Sequence, residues 1–221
     1  MFIYFLLHIK INNLFLCRWM DRKNIIYNFT AACDEGNLVL AKQLTKTYGL
    51  TTEDAKSHNN YALLEACANG HTVTAQWLVK TFGLTAEDVK SVNNYAFQLA
   101  CSNGHLSTAR WLVKTFELTI EDAKSNNNSA FLWACMNGHT FTAQWLAETF
   151  RLTIEDVKLD NNFALKRVCE NNHTSTAQWL LDTFYTTEDI TKIMEIPYFS
   201  QKTKEFLKKL NDRGFTEPAK M

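Results

Sequence analysis

Residues 66–79 read Ala66-Cys67-Ala68-Asn69-Gly70-His71-Thr72-Val73-Thr74-Ala75-Gln76-Trp77-Leu78-Val79, and near copies of this run begin at Ala100 and Ala134. The spacing is constant at 34 residues: Cys33, Cys67, Cys101, Cys135 and Cys169 keep it, as do Trp77, Trp111, Trp145 and Trp179 and the aromatic series Tyr48, Phe82, Phe116, Phe150 and Phe184. In the first copy Gln43 holds the tryptophan position. The pairs Asn59-Asn60, Asn93-Asn94, Asn127-Asn128 and Asn161-Asn162 share the register and delimit five repeats, 25–58, 59–92, 93–126, 127–160 and 161–190. A fixed period of this length marks a protein of stacked repeats, because no single unit buries its apolar side alone.

The pattern inside the second repeat predicts two helices. Ala62, Leu63, Ala66 and Cys67 fall on one side of helix A, which begins after Asn60 as its cap and stops at Gly70. Helix B follows His71, with Ala75, Leu78, Val79 and Phe82 at i, i+3, i+4 and i+7. The linker Leu84-Thr85-Ala86-Glu87-Asp88-Val89-Lys90-Ser91 opens with a capping hydroxyl and sets carboxylates in the first turn, which predicts one or two helical turns there. The two prolines, Pro197 and Pro218, leave everything upstream free to be helical. The predicted class is all-α: a helical solenoid of about five stacked two-helix units, with a short extra helical turn in each linker and a C-terminal capping helix.

Ala66 to His71, then Ala75 and Trp77-Leu78-Val79, resembles the ankyrin pattern of two small residues, two variable ones, Gly-His and an apolar second helix. Ala100 to His105 and Ala134 to His139 repeat it, so the resemblance spans roughly residues 25–190. It implies an ankyrin-like solenoid that binds other proteins. Tyr61-Ala62-Leu63-Leu64 stands where ankyrin repeats usually have Thr-Pro-Leu-His, and the Thr-x-Glu-Asp linker sits where the family forms a β-hairpin finger. This variant is similar to arrays expanded in large DNA viruses and some protists. A tetratricopeptide array would need an early Trp, a Gly-x-x-Tyr spacing and a late Pro, none of which occurs in register.

At the ends the repeat fades. Residues 1–24 read as an apolar extension or capping helix. No basic segment precedes the apolar stretch, and His8, Lys10, Asn12, Asn13 and Arg18 interrupt it well short of the ~18 apolar residues of a spanning helix. Met20 is a candidate start. In the fifth repeat Asn172 replaces the glycine and the linker Tyr185-Thr186-Thr187 is one residue short. Residues 191–221 read as a C-terminal cap, with Ser200 to Asn211 an amphipathic helix that sets Phe206, Leu207 and Leu210 on one side and stops by Gly214. The alternative is a docking helix of the kind that follows some viral ankyrin arrays, which would make the chain a substrate adaptor for a ubiquitin ligase. No F-box pattern accompanies it.

Composition and motifs bear on chemistry. The chain has 221 residues, 46 % hydrophobic and 21 % charged, an ordinary folded composition. Lys plus Arg and Asp plus Glu are both 23, so no broad excess of charge draws it to nucleic acid or membrane. The pairs Cys67/His71, Cys101/His105, Cys135/His139 and Cys169/His173 occur one per repeat, whereas zinc needs about four converging ligands. The same separation keeps equivalent cysteines beyond the ~7 Å limit for a disulfide. Reduced cysteines, Cys17 included, point to a cytoplasmic or other intracellular home, the host cytoplasm for a viral chain. Glu53-Asp54, Glu87-Asp88, Glu121-Asp122, Glu155-Asp156 and Glu188-Asp189 read as helix-start residues rather than catalytic pairs. No Gly-rich phosphate loop, His-Glu-x-x-His run or Gly-x-Ser-x-Gly elbow occurs. The reading is therefore not an enzyme, with no metal and no cofactor, and a monomer whose partner is another protein.

Positions that differ between otherwise constant repeats are where a partner would be chosen. The second residue before each cysteine reads Ala31, Glu65, Leu99, Trp133 and Arg167; the residue after reads Asp34, Ala68, Ser102, Met136 and Glu170. By the resemblance these positions line the concave face. The candidate partner-binding residues are Glu65, Ala68, Leu99, Ser102, Trp133, Met136, Arg167 and Glu170, with Trp133, Met136, Leu99 and Arg167 foremost. The competing reading is that Trp133 and Leu99 pack against the neighbouring helix.

Overall fold

The computed structural model describes residues 21–211, all of whose regular structure is helical. The apolar stretch before residue 20, Cys17, the candidate start at Met20, Gly214 and Pro218 lie outside that range. The chain divides into two compact blocks, one ending at Ser91 and the other beginning at Val92.

The first block holds α1 (Arg22–Asp34), α2 (Leu38–Tyr48), α3 (Thr52–Ala55), α4 (Ser57–Ala68) and α5 (Thr72–Phe82). The A helices α1 and α4 lie side by side, and each also packs on its own B helix, α2 or α5. α6 (Ala86–Ser102) carries the chain across the division. The second block continues with α7 (Leu106–Phe116), α8 (Ile120–Ala123), α9 (Ser125–Met136), α10 (Thr140–Thr149), α11 (Ile154–Val157), α12 (Leu159–Glu170), α13 (Thr174–Phe184), α14 (Thr187–Glu195) and α15 (Gln201–Asn211). Here α9 packs on α12 and α10 on α13, while α15 lies against α12. The fold is the all-α stack of two-helix units anticipated above, with one-turn helices in the linkers.

Small side chains let the A helices approach. Ala32, Cys33, Ala66, Cys67, Ala134 and Cys135 are at most 1 % exposed. The four helix B tryptophans have a common aromatic neighbour. Each lies edge-on to the aromatic five residues later, as Trp77–Phe82 at 5.8 Å, Trp111–Phe116 at 5.9 Å, Trp145–Phe150 at 6.2 Å and Trp179–Phe184 at 5.7 Å. Three also meet a buried phenylalanine of an earlier A helix, in the pairs Phe29–Trp77, Phe97–Trp145 and Phe131–Trp179 at 6.3 to 6.5 Å. Edge-to-face pairs at such distances add ~0.5–1.5 kcal/mol beyond area burial.

The linkers begin with a reciprocal capping box. Thr51, Thr119, Thr153 and Thr186 accept from the backbone N–H of Asp54, Asp122, Asp156 and Asp189, whose carboxylates accept the threonine N–H in return. The asparagine segments then depart from the expected cap. His58-Asn59-Asn60, Asn126-Asn127-Asn128 and Asp160-Asn161-Asn162 each form three consecutive left-handed residues, with φ between 51° and 64°. This conformation costs ~1–2 kcal/mol per L-residue, least for Asn. In the first two the third residue is buried and reaches forward: Asn60 Nδ2 donates to the Asp88 carbonyl at 2.9 Å, and Asn128 Nδ2 to the Asp156 carbonyl at 3.3 Å. Asn60 thus clamps the next linker instead of capping its own helix.

The Gly-His turn is also an inter-repeat contact. Gly36, Gly104 and Gly138 have φ of 67°, 76° and 75°, and a Cβ on any of them would overlap the imidazole of His71, His139 or His173, one repeat ahead. Asn172 takes the same left-handed position at φ 59°, and the residue one repeat beyond His173 is Leu207. Gly104→Ala is accordingly expected to destabilise the chain by ~2 kcal/mol or more, strain plus overlap, against ~1 kcal/mol for Gly49→Ala, which shares a positive φ (57°) but has open space. Urea unfolding checks this; equal losses at the two sites would refute the overlap.

Candidate protein-interaction face

The variable positions lie on the A helices. In the first block Glu65 is half-buried and bonded to the Tyr61 hydroxyl, and its carbonyl accepts from Asn69 Nδ2 at 3.1 Å. Ala68 is buried, at 7 % exposure. In the second block Ser102 is buried too, because Asn137 Nδ2 donates to both its carbonyl and its hydroxyl, at 2.8 and 3.1 Å. Ala68 and Ser102 therefore withdraw from the accessible row, and at Ser102 it is the following repeat's asparagine that closes over the end of helix A. Asn171 does the same to the Met136 carbonyl at 2.8 Å, but the Met136 side chain keeps partial exposure.

Leu99, Trp133 and Met136 are half-buried, Arg167 is exposed and Glu170 half-buried. A helical side chain leans toward the helix N-terminus and covers the residue four before it. Trp133 follows buried Ser129 by four, and its ring meets Tyr95 edge-on at 6.4 Å and 78°. Arg167 follows Phe163 by four; its guanidinium stands 5.5 Å from that ring's centre and 3.0 Å from Glu170. Trp133 thus both packs and presents surface, a combination of the two readings weighed from sequence. Tyr95 and Phe163, which hold Trp133 and Arg167 in place, escaped the sequence reading; their shared position, immediately before the first alanine of helix A (Ala96, Ala164), was the available signal.

The residues considered for chemistry lie elsewhere. The five described cysteines are buried and unbridged, and burial pushes the Cys67 thiol up to about 12. Among the described residues no group of three His, Cys, Asp or Glu side chains converges as metal ligands, and no helix is long and apolar enough to cross a membrane. The linker aspartates do more than cap. Lys56 bridges to Asp88, Lys124 to Asp156 and Lys158 to Asp189 at 2.7 to 2.8 Å, each from the preceding linker, and Arg22 pairs with Asp54. Burial alone would raise these carboxyls, but the cation and the threonine N–H and hydroxyl outweigh it and hold Asp54, Asp88, Asp156 and Asp189 below the usual range.

With this geometry in place, comparison with known proteins assigns the family. The ankyrin-repeat family model, three copies of the repeat, matches residues 29–122 and again 99–192, so the chain belongs to the ankyrin-repeat family. The fold is similar to the crystal structure of the human ASB11 ankyrin repeat domain, with 18 % identity, 82 % of each chain covered and a TM-score of 0.58. No curated protein matched the sequence. Ankyrin repeats in general are protein-interaction scaffolds.

Acid should weaken the array in two stages. Burial, then the charges of His105 and His173, lowers the His139 pKa, so its contribution is complete above the unfolded value of ~6.5 and is lost as pH falls from there through the folded value. The aspartate contribution is complete above ~4 and is lost as pH falls through their depressed range. Urea midpoints measured from pH 8 to 3 should fall in both windows, and His139→Gln should flatten the upper one. A midpoint constant between pH 7 and 5 would contradict the histidine assignment.

Proposed function

We propose that this chain is an intracellular, monomeric protein-interaction module whose partner lies along the A helices of the second block, on Leu99, Trp133, Met136, Arg167 and Glu170, with Glu65 the equivalent position in the first block. The observation that carries the reading is Trp133: a large aromatic at a position that changes from repeat to repeat, half-buried and braced by Tyr95, with partly exposed surface. A pre-positioned aromatic loses little rotamer freedom on binding, and Trp and Arg dominate binding hot spots. The surrounding framework of Ala, Cys, Trp and Gly-His stays constant, which separates holding the stack from choosing the partner. In the family such positions line the concave face, and the catalytic reading has no comparable residue set to support it.

The adaptor alternative assigns docking to residues 191–221. Phe199, Leu207 and Leu210 of that segment are buried, and α15 lies on α12, which favours a structural role for its apolar side. Affinity capture from the native cell with wild type and with Trp133→Ala/Arg167→Ala distinguishes the readings. The double variant should lose its captured partners at least about tenfold, the effect of ~1.4 kcal/mol, while melting like wild type. Undiminished recovery would overturn the face assignment, and loss on deleting 212–221 alone would favour docking through the tail.

A further inference from the structure

Resting on that interaction reading, we infer that the partner-facing row does not end with the fifth repeat: it continues into α15, gains a basic end at Arg167 and Lys204, and accepts an apolar segment with an acidic terminus.

The 34-residue register persists beyond the last recognisable repeat. Leu165 plus one period is Phe199 and Cys169 plus one period is Thr203, and the four residues are 0 %, 2 %, 1 % and 1 % exposed in that order. Ser200 starts the helix: its Oγ accepts from the Thr203 N–H at 3.2 Å. What has gone is the rest of the unit. Lys202 stands where Ala66, Ala100, Ala134 and Val168 are buried, and it is exposed. Leu207 takes the histidine position and is buried within an unbroken helix. α15 is thus a sixth A helix that keeps the side packed on α12 and drops the side that a helix B would cover.

In this register Gln201 succeeds Leu99, Trp133 and Arg167, and Lys204 succeeds Ser102, Met136 and Glu170. The row in the second block therefore begins with the uncharged Tyr95, Leu99, Trp133 and Met136 and ends in charge. Glu170 is approached by both Lys166 and Arg167, at 3.8 and 3.0 Å, so one of the two cations is unmatched. Lys166 is further held with its ammonium 3.4 Å from the centre of the Tyr198 ring, which leaves Arg167 the outward cation. Lys204 adds another, and on α15 the single carboxylate, Glu205, accepts from Gln201 at 3.2 Å. An occupant that buries an apolar stretch on Trp133 and Met136 must bring a negative group to this end to match it. Neighbouring helices lie ~8–10 Å apart, so two spacings from the Trp133 helix to α15 correspond to about six extended residues.

Selection of random dodecamer peptides from a display library on the full chain tests this. The enriched peptides should carry an aliphatic or aromatic run followed within about six residues by Asp or Glu. For one such synthetic peptide, Arg167→Glu/Lys204→Glu should weaken binding at least about tenfold, and replacing the peptide's acid by Lys should restore it to the variant. Thermal melting of the variant within a few degrees of wild type makes the loss local. Acid-free enriched peptides, an empty selection, or binding indifferent to the charge reversal would overturn the inference. If Trp133→Ala still abolishes peptide binding while the reversal does nothing, the interaction face stands and only the basic end falls; if neither substitution matters, both fall.

Discussion

A pair of helices of this size leaves one apolar side uncovered, and every other feature of the protein answers that constraint. Burying a phenylalanine such as Phe97 or Phe131 contributes ~1.5–3 kcal/mol, whereas a partly exposed Lys–Asp pair of the linker kind contributes ~0–1 kcal/mol. The apolar seam therefore holds the repeats together. The polar contacts, cheap individually, decide how one repeat meets the next: the imidazole of His139 on Gly104, the Asn128 amide on the Asp156 carbonyl and the Asn137 amide on Ser102 each have a single matching site one repeat away.

This division of labour explains where surface variety is permitted. The repeated cysteines are buried, Trp77, Trp145 and Trp179 meet a phenylalanine of an earlier repeat, and Gly36, Gly104 and Gly138 lie against an imidazole of the next, so a change there disturbs packing. The positions of Glu65, Leu99, Trp133 and Arg167 lie one helical step round from that seam and differ in size and charge without affecting it. Bracing by Tyr95 and Phe163 then converts two flexible, large side chains into fixed features of the surface, which lowers the entropy lost when something binds them.

The helix pairs, their constant faces and the threonine caps were legible because each rests on local spacing: a period of 3.6 within helices, a Thr three residues before Asp, and a repeat of fixed length. The left-handed asparagine turns were not. Asn59-Asn60 satisfies the composition of a helix cap, and only the acceptor it finds 28 residues later, the Asp88 carbonyl, reveals a donor role. Burial of Ser102 was hidden for the same reason, since the responsible Asn137 belongs to the next unit. α15 escaped recognition as a sixth A helix because Phe199 and Thr203 preserve volume and burial but not the residue types that advertise the motif.

The forward-reaching asparagine has a consequence for how such a chain changes length. Donor and acceptor are chemically identical at the junctions that Asn60, Asn94 and Asn128 bridge, so copying or deleting one whole period among them re-creates a matched junction at the seam. A cut of any other length leaves an amide and a carbonyl stranded in the interior. Growth by whole periods is thereby built into the bonding pattern itself, and the number of repeats is free to drift over generations while the thickness of each stays fixed.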